Sequence, residues 1–161
     1  MDILLSCRAP WPSKIFDEPK EGEVRKDLEL RNCCIQWAGI NIRDRALIYE
    51  TAPTKAIVGV AQIEHVVFWE NASQIWSWWG KRTGFESFDD LRKFVKPRIS
   101  SYLVFGERER LYVSLDDMKR LFDVRAPHSF RYLESWMANQ MIDMGRGNYN
   151  LYTALGMKEW A

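Results

Sequence analysis

Ile3-Leu4-Leu5-Ser6, Lys14-Ile15-Phe16 and Pro19-Lys20-Glu21-Gly22-Glu23-Val24-Arg25-Lys26 follow one another early in the chain, with Ala46 to Thr51 and Ile57-Val58-Gly59-Val60 downstream. The order reads as a strand, a short helix and a second strand, followed by a hairpin. Ala46 to Thr51 and Ala56 to Trp69 are rich in the Ile, Val, Tyr and Phe that suit a pleated surface, and the turn Ala52-Pro53-Thr54-Lys55 joins them. Residues two apart on a strand share a face, so Glu23 and Arg25 point one way while Val24 packs the other. Gly59 inside the hairpin's second strand indicates a bulge or a close approach by other atoms.

Working outward, Pro10-Trp11-Pro12 opens a helix with Trp11 and Ile15 one turn apart, ending near Asp17 to Pro19. Cys34 to Trp37 reads as a further short strand. Asn71 with Gln74 and Ser87 with Asp90 are capping patterns. The first precedes an apolar stripe of Ala72, Ile75, Trp76 and Trp79 that leaves Trp78 outside it; the second precedes Phe88, Leu91 and Val95, and Pro97 ends that helix. Tyr102 to Phe105 and Leu111 to Leu115 read as two closing strands around Gly106, and Asp116 to Phe122 as a short helix. Phe130, Leu133, Met137, Met141 and Met144 mark a longer helix. The tail around Gly145 and Gly147 reads as irregular, with Leu151, Tyr152, Leu155 and Trp160 able to dock on the body.

A chain of 161 residues is long enough for one core, and 47% hydrophobic with 28% charged residues is an ordinary globular composition. Eight tryptophans are the departure from it. No apolar run reaches the roughly 20 residues that span a bilayer, and the start of the chain lacks a basic leader, so a cytoplasmic location with no membrane contact is expected. Cys7, Cys33 and Cys34 cannot form an even disulfide framework. The net charge of +1 gives no global attraction to nucleic acid, so any such site is local.

The ordered run from Ile3 to Val60 resembles the ASCH domain, a PUA-like module associated with RNA and modified nucleobases. The resemblance covers residues 1–133 and implies an α+β fold, a PUA-like twisted β-barrel flanked by helices. Residues 134–161 are then expected to form a C-terminal helical extension packed on the same domain.

Lys20, Glu23 and Arg25 supply a point donor, an acceptor and a fork of donors, a set able to hold one nucleotide. A solvated strand with a surface ion pair is the plainer reading. In ASCH amidohydrolases acting on acetylated cytidine, a lysine and a threonine of this strand serve catalysis. Lys20 matches the lysine, but Glu23 stands where the threonine would be, and a carboxylate does not replace a hydroxyl nucleophile without changing the mechanism. The resemblance to ASCH proteins that cut single-stranded RNA implies a site of Tyr49, Lys55 and Ser129, with Thr51 on the same strand face as Tyr49 and Arg131 close by. With reference pKa values near 10, neither the tyrosine nor the lysine is a base at neutral pH unless the site shifts one of them. Ser129 also reads as the N-cap of the long helix.

The tryptophans offer base stacking or simple packing, with Trp78 the candidate for exposure. Two histidines and an adjacent cysteine pair give no zinc spacing, and there is no phosphate-binding glycine loop, so neither metal nor cofactor is expected. The reading is therefore a binder of single-stranded RNA or a modified nucleobase or nucleoside. Metal-independent ribonuclease activity is the alternative, and a protein-interaction adaptor using Met141 to Trp160 is the third class.

Overall fold

The computed structural model describes residues 1–17, 22–25, 40–69, 72–95 and 100–156, with the backbone alone at 22–25, 67–69 and 100–102. Its centre is β1 (Asp2–Cys7), every residue of which is buried. Such a strand must be covered on both faces, and the alternation shows how. Ile3, Leu5 and Cys7 face one cluster with Ile15, Ile48, Ile63, Leu103 and Phe105. Leu4 faces the other, with Leu47, Tyr49, Ile57, Val113, Met118, Leu133 and Met141.

The remaining strands are β2 (Gly22–Arg25), β3 (Arg45–Glu50), β4 (Ala56–Trp69), β5 (Ser100–Ser114) and β6 (Phe130–Leu133). They form one six-stranded sheet in the order β2-β5-β4-β3-β1-β6. β1 and β3 run parallel, while the other pairs are antiparallel. The helices are α1 (Trp11–Asp17), α2 (Ala72–Trp79), α3 (Phe88–Val95), α4 (Leu115–Phe122) and α5 (Ser135–Ala154), with a 3-10 turn at Gly80–Thr83. The class is α+β, a twisted sheet flanked by helices. Among the described residues β2 and β6 end the sheet without pairing, so hydrogen bonding does not close it into a barrel.

Gly59 behaves as its position indicates. The β4–β5 register shifts between Ile57 and Gly59, and the Phe16 ring of α1 lies where a Cβ at Gly59 would stand. The capping pattern at Ser87 also forms, its hydroxyl accepting from the Asp90 N–H at 3.2 Å.

Four expectations are corrected. Gly106 is not a turn: β5 runs unbroken through it, and the Glu64 side chain of β4 occupies the space a Cβ there would take. Phe130 to Leu133 is strand β6, not the start of the long helix, because it pairs with Leu5 to Asp2 of β1. Gly145 and Gly147 lie inside α5, which stays regular to Ala154. A Cβ at Gly145 would stand 2.8 Å from Leu111 and 2.9 Å from Val113, so glycine lets the helix approach β5. Phe88 is 37% exposed instead of facing the core with Leu91 and Val95.

Tyr152 does dock, edge-on to Tyr112 at 5.4 Å, whereas Leu151 and Leu155 are exposed. Cys34 to Trp37, Asn71, Pro97 and Trp160 lie outside the described residues. Cys7 is buried, and no helix among the described residues is long and apolar enough to cross a membrane.

Candidate functional site

β1 and β3 finish together, and Tyr49, Thr51, Lys55 and Ser129 lie towards that end. Ser6 of β1 pairs with Tyr49 of β3, and on its other side the Ser6 N–H donates to the Ser129 carbonyl at 2.8 Å. Neighbouring strands lie about 4.8 Å apart, so the Tyr49 and Ser129 backbones are roughly 10 Å apart across β1. The Thr51 N–H continues the β1–β3 ladder by donating to the Cys7 carbonyl at 2.9 Å.

Tyr49 is 3% exposed and sits in the cluster with Leu4, Leu47 and Ile57. Burial pushes its phenol above the ordinary tyrosine range, because desolvation penalises the phenolate. The shift is away from a base at neutral pH, and it keeps the hydroxyl a proton donor.

Lys55 ends the β3–β4 turn and its side chain is exposed. Its backbone is left-handed, φ +50°, a conformation that costs a side chain other than Gly or Asn about 1 kcal/mol. The turn is held there by the Leu115 N–H donating to the Lys55 carbonyl at 3.0 Å and by the Thr54 hydroxyl donating to the Glu50 carboxylate. The lysine backbone is thus fixed between the end of β3 and the start of α4.

Ser129 is not a helix N-cap. It immediately precedes β6, and Glu134 occupies the N-cap position of α5 with no side-chain capping bond. Its hydroxyl oxygen is shielded from solvent. With Arg125, Ala126, Pro127, His128, Phe130 and Arg131 it lines an open pocket of about 390 Å³. Arg125, His128 and Arg131 are exposed or partly so, and no carboxylate is among the lining residues. Arg131 is a strand residue opposite Leu4, not part of a helical first turn. The pocket is a local concentration of cationic and hydrogen-bonding groups on a nearly neutral protein.

The second half of the expected site lies elsewhere. Glu23 and Arg25 are on β2, opposite Leu103 and Ser101 of β5, at the sheet edge away from β6. Val113, the β5 residue level with Ile57 and hence with Tyr49, is nine residues from Val104, roughly 30 Å of strand contour. β2 instead packs against the 3-10 turn after α2. Lys20 lies outside the described residues. Tyr49, Thr51, Lys55 and Ser129 therefore lie along the β1–β3–β6 row, with only Ser129 of the four lining the pocket, and Glu23 and Arg25 do not join that row.

Sequence reasoning missed Arg125 as a site residue and gave His128 no role. Their placement depends on Asp123, left-handed at φ +53°, which turns the chain out of α4 before Val124 is buried. Among the described residues no group of three or more His, Cys, Asp or Glu is placed to hold a metal ion.

No protein-family model matches the sequence, and no curated protein sequence does. Solved structures do match. The ASCH protein of Zymomonas mobilis superposes with a TM-score of 0.70 at 20% identity, covering 89% of this chain and 94% of that one. A variant of it with a tyrosine replaced by phenylalanine gives 0.72 at 19% identity, covering 89% and 97%. The fold is that of the ASCH domain. The N-terminal domain of McrB from Staphylothermus marinus is also similar, with a TM-score of 0.59 at 9% identity over 89% of this chain and 93% of that one. The twisted sheet and flanking helices described above agree with that fold.

Proposed function

We propose that this ASCH-fold chain binds single-stranded RNA or a modified nucleobase at the pocket where β6 meets β1. The observation that carries the reading is the meeting of Ser129, Arg131, Arg125 and His128 around one cavity, in register across β1 with Tyr49 and with no lining carboxylate. At about 390 Å³ the cavity falls within the roughly 300–1,000 Å³ of small-ligand sites. Guanidinium forks suit phosphate oxygens, an imidazole and a hydroxyl suit base edges, and unpaired nucleotides expose both. Lys55 adds a positive charge at the same end of the sheet.

The ribonuclease reading draws support from the row across β1, in which Tyr49 and Ser129 flank Ser6 and Lys55 ends the turn that follows β3. In it the ribose 2′-hydroxyl attacks the phosphorus and gives its proton to solvent water, Tyr49, kept protonated by burial, gives its proton to the departing 5′-oxygen and regains one from water, and Lys55 stabilises charge on the phosphorane. A neighbour studied as serine-to-alanine and tyrosine-to-phenylalanine variants draws interest to the same two residue types.

The test is incubation of the protein with end-labelled single-stranded RNA in a chelating buffer, followed on a gel and by fluorescence anisotropy. Retention without cutting, weakened by Arg131→Ala, supports the binder. Cutting that disappears in Tyr49→Phe and Ser129→Ala supports the enzyme. Neither retention nor cutting across RNA, modified nucleosides and free bases would sink both.

A further inference from the structure

α2 ends in a corner that the pocket does not include. Ala72 and Ile75 are buried, whereas Trp78 is 65% exposed, with its ring 6.3 Å from that of Trp79 and tilted 42°. The chain then turns sharply. Gly80 is left-handed at φ +48°, the buried Thr83 donates its hydroxyl to the Gly80 carbonyl at 2.8 Å, and the Gly84 N–H donates to the Lys81 carbonyl at 2.9 Å. Arg82 donates to the carbonyls of Trp78 at 2.7 Å and Trp79 at 3.4 Å. Those carbonyls close the helix and carry its negative end, so they station the guanidinium beside the indole. Lys81 is exposed and has no ion-pair partner among the described residues. Glu86, the next acid along the chain, is engaged by Lys14 at 3.7 Å.

We infer that this corner is a stacking site for an unpaired nucleotide, with the Trp78 indole taking the base and Lys81 and Arg82 the adjoining phosphate. An exposed indole offers a flat face to any base, and adjacent cations attract the linked phosphate. On the surface around the indole Ser73, Gln74 and Ser77 are exposed, Trp76 and Trp79 are half-buried, and Phe88 is 37% exposed. The centre of a protein interface is apolar and depleted of charge, whereas here two exposed cations, Lys81 and Arg82, adjoin the exposed ring. Duplexes hide base faces, so the ligand is a single strand. The fixed turn means that little side-chain freedom is lost on binding.

The inference rests on the proposal that the chain handles nucleic acid, but it stands on other residues. The corner lies beside β2, and the Ser129 pocket lies on β6 at the other edge of the sheet. It therefore assigns a second contact on a longer strand.

The test is anisotropy of a labelled oligouridine of about 12 nucleotides, a length within single-strand site sizes, against wild type, Trp78→Ala, Trp78→Phe, Lys81→Gln and Arg131→Ala, with a duplex control. Trp78→Ala should weaken single-strand binding roughly 5- to 100-fold, the loss of one base stack. Trp78→Phe should retain most of the affinity, and duplex binding should not change. Lys81→Gln should lower the salt slope by about one phosphate contact. If Trp78→Ala and Lys81→Gln bind as wild type while Arg131→Ala does not, the inference fails and the pocket reading stands. The reverse pattern keeps the corner and removes the pocket. A Trp78→Ala effect confined to self-association also overturns the inference, and no binding by wild type overturns both.

Discussion

Two arginine-lined hollows among the described residues differ in what surrounds the guanidinium groups. One, of about 230 Å³, is lined by Arg43, Arg45, Arg108, Glu107 and Glu109 with Val60 and Gln62. Here Arg45 grips the buried Asp2 carboxylate with two donors, at 2.7 and 3.3 Å. Arg108 donates to the Ile15 carbonyl at 2.7 Å and the Gly106 carbonyl at 3.2 Å, and Glu109 is engaged by Arg146. The other hollow holds Arg125 and Arg131, neither with an ion-pair partner among the described residues. The lesson is that counting arginines does not find a ligand site. A guanidinium already committed to a carboxylate holds the fold together, and one without such a partner can receive a phosphate.

The sharpest way to break this contrast is to mutate both hollows. Arg45→Met should cost about 3 kcal/mol, because it leaves Asp2, 3% exposed, as a buried charge without its counterion. Chemical denaturation should show that loss, while Arg131→Met stays within about 0.5 kcal/mol of wild type. A comparable collapse of the Arg131 variant would erase the distinction.

Next in size is binding. Each guanidinium–phosphate contact is a charge-assisted hydrogen bond, so Arg125→Ala with Arg131→Ala should weaken RNA binding by at least about 1.5 kcal/mol, roughly tenfold. Isothermal titration at fixed salt reads it. Lys55→Gly splits stability from binding in one substitution. Removing the side chain from a left-handed backbone should raise stability by about 1 kcal/mol, read from the denaturation midpoint, while lowering RNA affinity.

The smallest effect is pH-dependent. The Arg146 hydrogen bonds hold the Glu109 carboxyl below the usual glutamate range. A lowered folded pKa contributes stability above the unfolded value, and the contribution disappears as pH falls through the folded one. The pair is largely exposed and screened by solvent, so Arg146→Ala should lower stability only slightly at neutral pH. The two melting curves should converge in acid; a constant gap would assign the loss to packing.

β1 and the β3–β4 hairpin were legible because β-branched and aromatic runs end at a Pro-containing turn, a local signal. β6 was not, because Phe130, Leu133 and Met137 also satisfy helical spacing and only the partner strand β1 decides between the two. Gly106 and Gly145 misled for a related reason. Both suit close packing by residues distant in sequence, Glu64 in one case and Leu111 with Val113 in the other. At the candidate site, Tyr49 and Lys55 were selected through turn spacing and family resemblance, and β3 with its turn places both at the end of the sheet where β1 finishes. Arg125 was hidden, since a loop residue gains its role only from the course of the chain after α4.

The close seat of α5 on β5, made possible by Gly145, bears on how this protein should be handled. Ala138, Met141 and Ile142 cover the same apolar layer that encloses Tyr49. A chain cut short at Leu133 would turn that layer outward and adhere to whatever it met, so a bait lacking the helix would register stickiness in place of recognition. Replacing single exposed residues such as Leu151 or Leu155 asks the same question of an intact fold.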